Sequence, residues 1–201
     1  MDELFGDSEK NFSGLLLEHG LSKNETVGLV LLGRGASDQI VPVITEAVAR
    51  LSERSNLRSE ILKEIDDLIA QGHSEPEAVQ LSQRLRSVCM ESLRFHHTTS
   101  ILRRIRNDTE TNEVVNGHRL QPNDTVVVEP ARFAKNPKIV GENPQEFNPN
   151  RWIKEGTFWP NLPFLPFGSG RHMCPGWRLA VTQIVQMVYL MIRRNTTEKT
   201  D

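Results

Sequence analysis

Cysteine is nearly missing from this sequence: two in 201 residues, Cys89 and Cys174. They lie far apart and form no pattern, which excludes a disulfide scaffold and suits a reducing compartment. Long apolar runs are missing as well. The longest, residues 27–32 and residues 184–192 with Gln186 interrupting, fall well short of a membrane span. There is no surplus of positive charge. Lys and Arg number 24 against 26 Asp and Glu, a formal net charge of -2, which argues against a nucleic-acid binder. The N-terminus, Met1-Asp2-Glu3-Leu4-Phe5, is acidic and lacks signal-peptide character. Internal repeats and low-complexity tracts are also wanting. What is there, 37% hydrophobic and 25% charged, is the composition of a globular protein long enough for one or two domains with a real core.

The first half reads as helical. A short amphipathic piece over residues 12–18 ends at Gly20. Ser22 or Asn24 then caps a helix over about residues 25–52, with Glu25 in its first turn. Its run Val27-Gly28-Leu29-Val30-Leu31-Leu32 predicts burial on several sides. Inside it stands Gly33-Arg34-Gly35-Ala36-Ser37-Asp38-Gln39, followed by Pro42. Two glycines and a proline are costly in a helix, so a local distortion with a purpose is expected. A second helix over about 56–71 puts Ile61, Ile65, Leu68 and Ile69 on one face. A third, over about 76–94, turns Val79, Leu81, Leu85, Val88 and Leu93 inward.

Beyond Phe95 the pattern changes. Thr99-Ser100-Ile101-Leu102 and Thr125-Val126-Val127-Val128 are strand-like, with turn signals at Asn116-Gly117 and Pro122-Asn123-Asp124. Residues 129–166 carry Pro130, Pro137, Pro144, Pro149, Pro160, Pro163 and Pro166. A segment that long without regular structure is usually functional. The final helix is expected over about 174–193.

The strongest chemical signal is Phe167-Gly168-Ser169-Gly170-Arg171-His172-Met173-Cys174-Pro175-Gly176. A lone cysteine follows a glycine-rich turn and opens an apolar helix, with Pro175 suited to the first turn. Free N–H groups and the positive end of the helix dipole would favour a thiolate there. Arg171 and His172 add donors. Gly168, Gly170 and Gly176 keep the backbone slim, so that something flat and bulky can approach. Read alone, the string favours a buried cysteine at a helix start with a glycine turn.

The string resembles the haem-binding loop of the cytochrome P450 family, Phe-x-x-Gly-x-Arg-x-Cys-x-Gly. Phe167, Gly170, Cys174 and Gly176 match in register, and His172 stands in the arginine slot. Some branches, sterol demethylases among them, use histidine there beside an arginine like Arg171, where it contacts a haem propionate. Glu91-Ser92-Leu93-Arg94 resembles the family's Glu-x-x-Arg, and residues three apart share a helix face. Phe147-Asn148-Pro149-Asn150-Arg151-Trp152 resembles its Phe-x-Pro-x-Arg-Phe/Trp segment. The resemblance implies that Arg151 joins Glu91 and Arg94 in a buried triad, which fixes the meander behind the haem and does no chemistry. Gly35-Ala36-Ser37-Asp38-Gln39 is a partial match to Ala-Gly-x-Asp-Thr over the oxygen site. Asp38 keeps the acid. Gln39 replaces the threonine that helps deliver protons, and an amide can hold a water but cannot act as a hydroxyl relay. The plainer reading of that segment is a kinked core helix.

The resemblance implies a mainly α fold with small β elements, a partial cytochrome P450 domain over residues 1–201. Its helical part would cover about 12–95. Strands, meander and haem-binding loop would cover about 96–176, and the final helix about 174–193. The family's full chain is more than twice as long. The expectation is therefore a chain truncated at both ends, without the membrane anchor, much of the substrate pocket and the terminal strand region. Intact members are often anchored at the endoplasmic reticulum; no anchor is present here, and the compartment stays open.

By the same resemblance, Cys174 is the iron ligand. His172 and Arg104, with Arg103 and Arg106 as rivals, are the propionate partners. Phe167 packs beside the sulfur, and Asp38 and Gln39 face the oxygen site. The implied activity is haem-thiolate monooxygenation of a small hydrophobic substrate by dioxygen, with NADPH electrons delivered by a reductase. Alternatives are a peroxide isomerase or dehydratase of the same fold, to which Gln39 points, and an inactive truncated paralogue. A zinc site on His172 and Cys174 is a remote fourth, since two more ligands are hard to find. His73, His96, His97 and His118 show no metal-site spacing. Trp152, Phe158 and Trp159 read as loop anchors.

Overall fold

The structure, a computed structural model, describes residues 12–96, 100–106, 114–153 and 162–197. The readings of residues 1–5, His97, Thr99, Phe158, Trp159 and Pro160 lie outside them. The chain divides into two compact units, Met1–Pro42 and Val43–Asp201.

In the first unit α1 (Phe12–Glu18) ends where Gly20, at φ 86, turns the chain. Between Ser22 and Asn24, the cap is Ser22. Its N–H and hydroxyl both reach Glu25 Oε2, at 2.9 and 2.7 Å, while its oxygen receives the Glu25 N–H at 3.3 Å. This reciprocal box starts α2 (Lys23–Glu53), one continuous helix. Gly33 and Gly35 lie within it, and Pro42 does not end it. Pro42 has no N–H to give the Asp38 carbonyl, yet the helix runs on through it.

In the second unit the end of α2 contributes Val43, Ala47 and Leu51 to a core. They are joined there by Ile61, Leu62 and Ile65 of α3 (Ser55–Ala70). The expected helix over 76–94 is instead two, α4 (Glu75–Leu81) and α5 (Gln83–Phe95). The break has a tertiary cause. Glu64 of α3 accepts the Ser82 hydroxyl at 2.8 Å and the N–H groups of Gln83 and Arg84 at 3.1 and 3.2 Å. Ser82 in turn accepts the Leu85 N–H at 3.2 Å and caps α5. The break resets the helical phase. Val79, Leu85, Val88 and Leu93 face inward, while Leu81 is exposed, as is Ile69 near the end of α3.

The last helix, α8 (Trp177–Thr197), packs on α4 and α5 through Val181, Ile184, Val185, Val188, Tyr189 and Ile192. Each such burial stabilises by about 1.5–3 kcal/mol. Among the described residues between α5 and α8 are two small antiparallel sheets. β1 (Ile101–Arg104) pairs with β4 (Thr125–Val128), Ile101 opposite Val128. β2 (Val114–Val115) and β3 (His118–Arg119) form a hairpin whose turn residues, Asn116 and Gly117, both have positive φ. Among the described residues the proline-rich stretch holds two short helices, α6 (Pro130–Ala134) and α7 (Pro137–Val140), and a 3-10 turn over Pro149–Trp152. No helix among the described residues is long and apolar enough to cross a membrane.

Candidate functional site

Glu91 sits on α5 with no solvent exposure. A carboxylate buried there needs its lone pairs met. Arg94, three residues on, places Nε 2.9 Å from Oε2 and Nη2 2.7 Å from Oε1. The Asn148 N–H reaches Oε1 at 2.9 Å and the Trp152 indole N–H reaches Oε2 at 2.8 Å. Arg151 Nε lies 3.4 Å from Oε1; this is an ion pair whose N–H is too poorly aligned to count as a hydrogen bond. Glu91, Arg94 and Arg151 are thus brought together, and a tryptophan joins them. The Trp152 position was visible in the sequence, but the aim of its N–H was not.

The terminal guanidinium nitrogens of both arginines also bind main-chain oxygens. Arg94 donates to the carbonyls of Ala134, Pro144 and Glu146 at 2.8, 2.6 and 3.1 Å. Arg151 donates to those of Val140, Glu142 and Asn143 at 3.2, 2.5 and 2.5 Å. A segment with little ladder of its own is thereby held by two cations, whose charge Glu91 answers. Gly141, at φ 87, passes close by: a Cβ there would stand 3.6 Å from Arg151 Nη1.

The cysteine loop grows out of this region. The Trp152 ring meets that of the fully buried Phe164, centroids 5.7 Å apart and planes tilted by 56°. Leu165 then adopts φ 53, unusual for a branched side chain, in a turn closed by its N–H on the Leu162 carbonyl at 3.0 Å. Gly168 and Gly170 follow at φ 72 and 61, where a side chain would be strained. The Cys174 N–H donates back to the Phe167 carbonyl at 2.8 Å and closes the loop.

Cys174 does not open the helix as the sequence reading had it. Pro175 and Gly176 form a turn, and α8 begins at Trp177. The sulfur is exposed, so the alternative of a buried structural cysteine does not hold for Cys174. It describes Cys89 instead, whose thiol is pushed up by burial and is chemically quiet. At Gly176 a Cβ would stand 4.0 Å from Sγ, in contact with it, so the glycine keeps that side of the sulfur bare.

Phe167, Gly170, His172, Cys174 and Gly176 therefore share one loop. Arg171 and His172 are exposed on a 3-10 turn, Gly170–His172. Arg104 is exposed at the end of β1. Asp38 and Gln39 are exposed on α2, within the first unit. Among the described residues no three His, Cys, Asp or Glu gather to hold a metal ion.

Comparison with known proteins covers nearly the whole chain. The family model described as Cytochrome P450 matches residues 21–200. This chain belongs to the cytochrome P450 family. Cytochrome P450 98A1 of Sorghum bicolor is 27% identical over 176 residues, 85% of this chain and 34% of that protein. Cytochrome P450 78A9 of Arabidopsis thaliana is 29% identical over 191 residues, 89% of this chain and 35% of that protein. Cytochrome P450 Tp4149 of Tanacetum parthenium is 30% identical over 156 residues, 75% and 30% of the two chains. The chain spans about a third of the length of these curated relatives. The cytochrome P450 match includes α5, the arginine-held segment and the cysteine loop alike.

P450 proteins are typically haem monooxygenases, and a haem would take one cysteine thiolate from the protein with little side-chain bulk around it. An exposed thiol on a glycine-slim loop meets that requirement.

Proposed function

We propose that the chain is the haem-thiolate portion of an oxidoreductase that inserts oxygen into a small hydrophobic organic substrate. The observation that carries this reading is the exposed Cys174 thiol in a loop matching the family's motif in register. Cys174 would ligate the iron; His172 and Arg104 would pair with the propionates. Phe167 would pack beside the sulfur, and Gly168, Gly170 and Gly176 would let the group lie close. When bound, the haem supplies the activation of dioxygen, with electrons from NADPH through a reductase partner. Asp38 would hold or move a proton on the oxygen side, and Gln39 would hold a water through its amide. Glu91, Arg94 and Arg151 would fix the backbone behind the loop.

The test is haem supply to the purified chain. A carbon-monoxide difference band of a thiolate-ligated ferrous haem is expected, and Cys174→Ala should abolish it. A folded chain that stays colourless would make this an inactive paralogue.

Gln39 favours a second reading, a peroxide isomerase or dehydratase of the same fold. A general acid relay needs a group that both gives and takes a proton, and Gln39 has none. Gln39→Thr should raise NADPH-coupled turnover if monooxygenation is the native reaction, and should leave it at background if peroxide rearrangement is.

A further inference from the structure

We infer that Trp152 is a positioning residue for Cys174, transmitting the placement of α5 to the cysteine loop. Its two ends do different things. The indole N–H is tied to Glu91 Oε2 at 2.8 Å, and Glu91 is itself clamped by Arg94 and the Asn148 N–H. The ring lies against Phe164, 5.7 Å between centroids. Trp152 is 8% exposed and Phe164 0%. Phe164 immediately precedes Leu165, whose positive φ starts the turn. The turn delivers the Phe167 carbonyl to the Cys174 N–H at 2.8 Å.

The other groups on Glu91 reach elsewhere. Arg94 and Arg151 turn their remaining donors to carbonyls between residues 134 and 146. Trp152 joins the carboxylate to the segment that enters the loop. An indole suits this role because it couples a large rigid ring to one directed donor. A phenylalanine would keep an aromatic ring of smaller size and lose the N–H that ties it to Glu91.

The consequence for the haem rests on the reading of Cys174 given above; the consequence for the loop does not. The experiment therefore has two arms. In the haem-free full chain, hydrogen exchange of the Cys174 amide is followed for wild type and Trp152→Phe, with the amides of α3 as a reference for intact folding. Trp152→Phe should speed Cys174 exchange by about fivefold, the scale of one lost hydrogen bond, and leave α3 protected. A change below about twofold with α3 protected overturns the inference. Should Trp152→Phe lose protection in α3 as well, Phe164→Leu decides. It keeps the Glu91 bond and removes the ring contact, and an unchanged Cys174 amide there overturns the inference equally. In the second arm, haem-loaded Trp152→Phe should show part of its carbon-monoxide band moved from the thiolate to the thiol position. A wild-type chain that takes up no haem sinks the proposed function alone. A loaded Trp152→Phe with an unaltered band sinks the positioning role.

Discussion

Glu64 accepts the Ser82 hydroxyl at 2.8 Å, and through that contact a residue of α3 decides where α5 begins. The same carboxylate takes two otherwise unpaired N–H groups, of Gln83 and Arg84. Glu64→Ala should cost about 1–2 kcal/mol, as loss of a helix cap does. Glu60→Gln, which removes an exposed pair with Arg84 at 3.4 Å, should cost under about 0.5 kcal/mol. Urea unfolding midpoints of the two variants check the contrast.

Glu91→Ala should cost about 3–5 kcal/mol, because it leaves two buried guanidinium groups without their anion. Against a total stability of about 5–15 kcal/mol that is a large part of the whole. Arg94→Lys should fail to compensate. One ammonium cannot reproduce a fork that binds Glu91 twice and three carbonyls besides. Chemical denaturation and soluble yield report both.

Glu46 ties α2 to the end of α5. Burial alone would raise its pKa; hydrogen bonds with Arg50 at 2.7 Å and His96 at 3.3 Å outweigh that and hold it below the ordinary 4.5. A carboxylate lowered in the folded state stabilises above its unfolded value, and the contribution is lost as pH falls through the folded one. Stability should therefore drop as acid is added below 4.5. Glu46→Gln should flatten that part of the curve, measured as the urea midpoint against pH.

Tyr189 is the single tyrosine, so its phenol can be titrated by absorbance without interference. Burial, then the hydrogen bond it donates to Glu75, push it up to about 12. The sign follows from linkage: the neutral phenol's contribution is complete below the ordinary 10.0 and is lost as pH rises toward the folded value. Glu75→Gln should bring the titration midpoint down toward 10.0.

What the sequence disclosed was what repeats or is punctuated. The long apolar pattern located α2 within two residues at either end, and Asn116-Gly117 marked a real hairpin. The motif strings located the Glu91 cluster and the cysteine loop. What escaped depends on groups distant in the chain. The split at Ser82 follows from Glu64, eighteen residues earlier. The start of α8 at Trp177 follows a loop that the Cys174 N–H closes on the Phe167 carbonyl, a contact seven residues back in the chain. The fourth donor on Glu91 is a side-chain direction, which no spacing rule contains.

Arg94 and Arg151 grip peptide oxygens, and every residue has one. The exposed side chains strung between 134 and 146 therefore carry little of the message that shapes their own path. Lys138, Glu142 and Gln145, all exposed, could drift freely through evolution while the trace stays put. The exceptions are Gly141 and Asn143, whose positive φ admits few substitutes, Asn136, whose side chain caps α7, and the buried Ala134 and Val140. Such a region would look variable in its letters and constant in its shape.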